Sequence, residues 1–176
     1  MIPKLTKDPS QIVVDMINAD NNSHLIAEQL RFGVPVVIEG PRNTRILVTA
    51  RPYSGMVGSV EVEYNRIDLD TIPPPDDPRL FYTNQTTLRV SDIVPLINET
   101  YGINLTTTDY VDVLLVAPAV TDPALPFSLK AAAKSLIYTG LMSLSLANEA
   151  TRNDISLPLE MVNTYFNGFT YAFLTT

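Results

Sequence analysis

Ser10-Gln11-Ile12-Val13-Val14-Asp15-Met16-Ile17-Asn18, with Leu25 beyond it, has an echo in Ser91-Asp92-Ile93-Val94-Pro95-Leu96-Ile97-Asn98, with Leu105 beyond it. The offset is 81 residues at Ser91 and 80 from Ile97 onward, so one residue has been dropped near Pro95. The apolar positions and the Asn keep their places, and a duplicated packing unit explains that pattern better than a catalytic centre does. Asp8-Pro9-Ser10-Gln11 is a helix start: Asp8 can cap, Pro9 suits the first helical position, and Gln11 can close a capping box. The 3.6-residue period predicts a helix over about residues 9–18 with Ile12, Met16 and Ile17 inward. Its partner is predicted from Asp92 to Glu99 with Ile93, Leu96 and Ile97 inward, and Pro95 is expected within the first turn, where a missing N–H costs nothing.

Working outward, each helix phrase is followed by a polar turn, a Leu and then extended segments. Val34-Pro35-Val36-Val37-Ile38 reads as a short edge strand and Val111 to Ala117 as its counterpart. Ile46, Val48 and Ala50 alternate with Arg45, Leu47, Thr49 and Arg51, and Val60, Val62 and Tyr64 with Glu61, Glu63 and Asn65. A period of two means half-buried antiparallel strands, joined here through the glycine-bearing loop Pro52 to Gly58. The second copy offers a strand from Leu129 to Tyr138, a turn at Thr139-Gly140, and Met142, Leu144 and Leu146 alternating with serines. Tyr53-Ser54-Gly55 and Tyr138-Thr139-Gly140 read as the same turn. The expected fold is α+β: two similar modules, residues 1–72 and 80–176, each a short helix plus a small antiparallel sheet, joined by a proline-rich linker at 73–79. A helix is expected from Leu159 to Tyr165. Phe169, Tyr171 and Phe173 then form a C-terminal aromatic strand, which must be covered by its own domain or by a neighbouring subunit.

Composition narrows the function classes. The 176 residues are 45% hydrophobic and 18% charged, enough for one average domain or two small ones. A net charge of −7 argues against a nucleic-acid partner, which calls for clustered positive charge. Residues 1–70 carry 7 basic and 9 acidic side chains and residues 71–176 carry 5 and 10, so an anionic ligand would favour the N-terminal half. With no cysteine there is no disulfide, thiolate nucleophile or cysteine metal site. The N-terminus has no signal-like apolar run and no stretch is long and apolar enough to cross a bilayer, so a soluble chain made in a cytoplasm, with no membrane partner, is expected.

No chemical constellation emerges. His24 is the sole histidine, with Ser23 beside it and Asp20 before it, but nothing resembles a nucleophile elbow, and a surface His at a helix end is expected. Asn18, Asp20 and Asn22 alternate like the opening of a calcium loop, yet the consensus glycine is missing and Gln29 stands where Glu belongs. A helix end whose carbonyls are satisfied by Asn and Asp side chains accounts for them. Asp68, Asp70, Asp76 and Asp77 are expected along an extended proline linker rather than round one centre. Arg42, Arg45, Arg51 and Arg66 are the one basic concentration. Arg45 and Arg51 would share the outward face of a strand, to meet either an acidic neighbouring subunit or Glu61 and Glu63 on the next strand. Catalytic, cofactor and metal residues are therefore expected to be none.

Several phrases together carry a resemblance: Ile-Asn at the helix end, Phe32-Gly33-Val34-Pro35, Arg42-Asn43-Thr44, Ser54 to Ser59 before Val60-Glu61-Val62-Glu63-Tyr64-Asn65-Arg66, and Ile97 through Asp109. They resemble virion structural proteins of large tailed bacteriophages, over residues 8–70 and 90–146. The resemblance carries over no functional residues. It implies a part of the head surface, neck, tail or baseplate, located in the virion after synthesis in the host cytoplasm, with copies of itself and other virion proteins as partners. Met56, Val57, Arg45, Arg51, Phe169, Tyr171 and Phe173 are the candidate interface residues. The first rival is a carbohydrate-binding accessory in which Tyr53, Tyr64, Tyr82 and Tyr101 stack on sugar rings, although the lack of Trp counts against it. The second is a metal enzyme built on the acidic residues.

Overall fold

The computed structural model describes residues 7–72 and 79–151. The stretch 73–78 of the proline-rich linker, the expected helix Leu159 to Tyr165 and the aromatic strand Phe169, Tyr171 and Phe173 lie outside the described residues. Within them the fold is α+β, with two α-helices and small, largely antiparallel sheets.

Helix α1 (Pro9–Asn21) starts where Asp8 accepts the Ser10 N–H at 2.9 Å, with Pro9 at the position that needs no donor. Helix α2 (Val90–Tyr101) begins two residues earlier than its sequence pattern implies. Two carboxylates extend it backwards: Asp92 accepts the Arg89 N–H at 2.6 Å and Asp112 accepts the Ser91 N–H at 3.0 Å. The Ser91 N–H first, and then the Arg89 guanidinium, hold the Asp112 carboxyl below the usual range. Pro95 consequently falls in the second turn, where its ring leaves the Ser91 carbonyl without a helical donor. The inward positions also differ from expectation: Val13 and Val14 are buried in α1 while Met16 is 43% exposed, and Leu96 in α2 is 45% exposed.

The two helices end in the same way. The Asn18 amide donates to the Leu25 carbonyl at 2.9 Å and accepts the Leu25 N–H at 2.8 Å; Asn98 makes the same pair with Leu105 at 3.0 and 2.8 Å. The residue after each helix, Asn22 or Gly102, is left-handed and returns its N–H to the carbonyl of that same Asn. The Asn is thus a clamp holding the exit chain against the helix, which is why it keeps its spacing to the Leu. Asn98→Ala and Asn18→Ala each remove a two-pronged, half-buried bond to backbone, and each is expected to cost about 2 kcal/mol in urea unfolding. A loss confined to one of the two variants would show that only one clamp bears on stability.

The echo does not extend to the sheets. In the first half, strands β1 (Leu30–Phe32) and β2 (Val36–Val37) pair along one edge of β3 (Thr44–Ala50), and β4 (Ser59–Tyr64) pairs along the other, all antiparallel. Thr44, Ile46 and Val48 point inward, as the alternation requires. The second half contains β6 (Leu80–Thr83), β7 (Thr87–Arg89), β8 (Leu114–Val116), β9 (Leu125–Lys130) and β11 (Leu141–Asn148). Here β11 is central, antiparallel to β9 and parallel to β6, while β7 and β8 form a separate antiparallel ribbon. The strand expected from Leu129 to Tyr138 ends at Lys130 instead. Tyr138 and Thr139 form β10, which runs parallel to β5 (Ile67–Asp68) of the first half. Tyr53 and Tyr138 are therefore not equivalent: Tyr53 stands fully exposed at a loop tip and Tyr138 is 1% exposed in the core.

Both halves feed one hydrophobic core, with Val14, Ile46 and Leu69 from the first and Ile97, Leu129, Met142 and Leu144 from the second. Tyr64 reaches across to donate to the Leu136 carbonyl at 2.8 Å. Burial pushes its phenol up to about 12, opposed by the charge of Arg66. Below pH 10 both folded and unfolded phenols are protonated and the contribution is intact. Between pH 10 and about 12 the unfolded phenol ionises while the folded one keeps its proton, so stability is lost as pH rises. The urea midpoint of the parent is expected to fall more steeply through that window than that of Tyr64→Phe, and equal slopes would contradict it.

Candidate interaction surfaces

The sharpest departure from the sequence reading is Arg66. Grouped in the sequence with Arg42, Arg45 and Arg51 as one basic concentration, it is 6% exposed and lies at the seam between the halves. Its Nε donates to Thr44 Oγ1 at 2.9 Å and its Nη1 to the carbonyls of Ser135 and Tyr138 at 3.1 and 3.2 Å. Asn43 fixes the strand end, accepting the Arg66 N–H and donating to its carbonyl. All the acceptors are neutral, and burial lowers the Arg66 pKa, its charge remaining because guanidinium starts so high. Ser135 is set by Asp109, which accepts its hydroxyl at 2.6 Å, and Ser135 Oγ accepts the Tyr138 N–H. Nothing in the spacing of Arg42, Arg45, Arg51 and Arg66 distinguishes the buried member; burial follows from pairings to residues some 70 positions away.

Beside Arg66 a cleft of about 330 Å³ opens between the halves, lined by Pro35 and Val37 on one side and by Lys130 to Ala133 and Thr139 to Leu141 on the other. Gly140 has a φ of +74°, and a Cβ there would collide with the Asp68 carboxylate, so the chain passes closely only because no side chain is present.

A second surface lies along β8. Its partner β7 takes one edge, and Leu115 turns inward opposite the buried Leu88. Leu114 and Val116 turn outward and are 63% and 66% exposed, flanked in sequence by exposed Val111, Val113 and Val120. The sequence reading placed a strand here but missed its exposure. The available signal was the run Val113 to Val116, which lacks the polar alternation of a strand with one wet face.

The sequence-derived interface residues fare differently. Val57 is 98% exposed at the hairpin tip, whereas Met56 is half-buried against the core. Arg45 is bound within its own sheet, at 2.8 Å from Glu63 and 3.8 Å from Glu61. Arg51 lies just past the end of β3 and donates to the Leu30 carbonyl at 2.7 Å. Phe169, Tyr171 and Phe173 fall outside the described residues. A tyrosine platform for sugars does not assemble, because Tyr64 and Tyr101 are core residues. His24 is exposed, and Ser23 donates to Asn18 rather than to it. Asn18, the first residue of the calcium-like run, is occupied by its clamp and by the Ser23 hydroxyl. Asp68 lies in β5 and caps the short turn Leu69–Thr71, not a linker. Among the described residues there is no cluster of three or more His, Asp or Glu side chains placed to hold a metal, and no helix long and apolar enough to cross a membrane.

Among the described residues, the conspicuous surfaces of this α+β protein are an exposed apolar strand and a cleft lined by Arg66. The chain belongs to a family of unknown function, DUF7941, whose pattern spans residues 3–175. Comparison with curated proteins and with solved structures finds no match.

Proposed function

We propose that this chain is a structural subunit of a bacteriophage particle, at the neck, tail, baseplate or head surface, acting by self-association and by docking to other particle proteins. The observation that carries the reading is β8: a strand with two exposed aliphatic side chains and one edge unpaired among the described residues. Such an edge offers backbone donors and acceptors to a neighbouring strand and apolar surface to its side chains. The exposed Val57 loop tip supplies a second contact point. The phage assignment is supported by the resemblance over residues 8–70 and 90–146.

Leu114→Lys/Val116→Lys tests the contact. Both side chains already face solvent, so the melting temperature should hold. Losing two aliphatic contacts is expected to weaken self-association at least about 30-fold, as read by analytical ultracentrifugation. A parent chain that stays monomeric at high concentration would remove the self-association part. Quantitative mass spectrometry of purified particles tests the rest, since absence of the chain from them would overturn the reading.

A further inference from the structure

We propose that the cleft between the two halves binds a carboxylate, with Arg66 at its floor and Lys130 and Thr139 beside it. Three observations converge. Arg66 is 94% buried by difference from its 6% exposure, yet all of its hydrogen-bond acceptors are neutral. Nε and Nη1 are spent on Thr44, Ser135 and Tyr138, while Nη2 makes no hydrogen bond among the described residues and is not sealed from solvent, and Arg66 is one of the residues that line the cleft. A buried cation without a counter-ion is costly, and an anion seated there recovers that cost.

The surroundings specify the kind of anion. Lys130 lines the same cleft and makes no ion pair among the described residues. The Thr139 hydroxyl is a third donor, and no acidic residue is among the lining side chains. Asp68, whose carboxylate abuts Gly140, accepts the Asp70 N–H and lies outside the lining. The remaining wall is apolar: Pro35, Val37, the alanines 131–133 and Leu141. Charge-assisted donors at one end and aliphatic walls at the other suit a carboxylate on a short methylene chain better than a fully hydrated phosphate. That group is either a small free organic acid or the Glu or Asp side chain of a docked protein. The inference is independent of the β8 contact.

Two probes separate the sources: glutarate as a free acid, and the blocked tripeptide acetyl-Ala-Glu-Ala-amide as a presented side chain. Each is titrated into the full chain at constant ionic strength, followed by amide and Arg Nε chemical shifts. Saturable shifts are expected at Ala132, Thr139 and Arg66, with a Kd on the order of 1 mM for the better probe. Tighter glutarate binding identifies a free acid, and tighter peptide binding an acidic side chain. Lys130→Glu and Ala133→Glu alter exposed positions, so folding should survive, and each should weaken binding at least tenfold. Arg66→Gln adds a floor variant if it folds. No saturable shift with either probe up to about 50 mM, or undiminished binding in Lys130→Glu, would overturn the proposal.

Discussion

Arg66→Met should lower the unfolding free energy by about 3–5 kcal/mol in urea, because the loss of the donor to three buried acceptors outweighs the relief of holding a guanidinium with no counter-ion. Methionine roughly matches the aliphatic part of the side chain, so the loss comes from what the guanidinium holds. Thr44, which is wholly buried, loses a donor, and the carbonyls of Ser135 and Tyr138 lose theirs at the point where the halves join. Buried acceptors left without donors cost about 1–3 kcal/mol each, and bonds to a charged donor lie toward the stronger end. Arg66→Lys should recover only part of the loss, because a single ammonium cannot span the two directions that the planar fork covers. A loss below about 1 kcal/mol for Arg66→Met would show that water replaces these bonds and that the seam does not depend on them.

Tyr138→Ala is expected to cost about 3–5 kcal/mol, for a different reason. Tyr138 is among the largest fully buried side chains, and its backbone belongs to the only strand pair among the described residues that joins the two halves. Removing the ring opens a cavity at the seam that the flanking strands cannot readily close. Tyr138→Phe keeps the ring and forfeits only a long contact, 3.4 Å from the Asn104 N–H, so its cost should stay near 1 kcal/mol. Amide exchange gives the sharper test. With one core, Ile46 in the first half and Leu144 in the second should lose protection together in Tyr138→Ala. Loss at Leu144 alone would mean that the halves unfold separately.

What could be read without coordinates was what depends on near neighbours in the chain. Asp8-Pro9 and the spacing of Asn18 to Leu25 announce a helix start and a helix end, because capping and exit clamps act within a few residues. The alternation in β3 gives its inward face for the same reason. At the interaction surfaces the legible part was smaller: the hairpin tip at Val57 follows from glycines flanking it, and the Arg45 pair with Glu63 is one of the two partners that the sequence leaves open.

The failures share one cause. Tyr53-Ser54-Gly55 and Tyr138-Thr139-Gly140 are alike in sequence, and both glycines adopt positive φ, yet one tyrosine is in solvent and the other in the core. The difference is the parallel pairing of Tyr138 with Ile67, a contact between positions 71 apart in the chain. Nothing in the sequence separates Arg66 from Arg42, Arg45 and Arg51, because its acceptors at 135 and 138 are invisible locally. Sequence by itself determined the helix phrases, their Asn clamps, the α+β class and the absence of cysteine chemistry, all set by local sterics, periodicity and composition. Tertiary structure alone decided which arginine is buried, where the cleft opens and that β8 shows its aliphatic face to solvent. Those outcomes depend on which distant segments share a strand edge: the parallel pairing of β10 with β5 brings Arg66 to the carbonyls at 135 and 138, and the separate ribbon of β7 with β8 leaves one face of β8 to solvent.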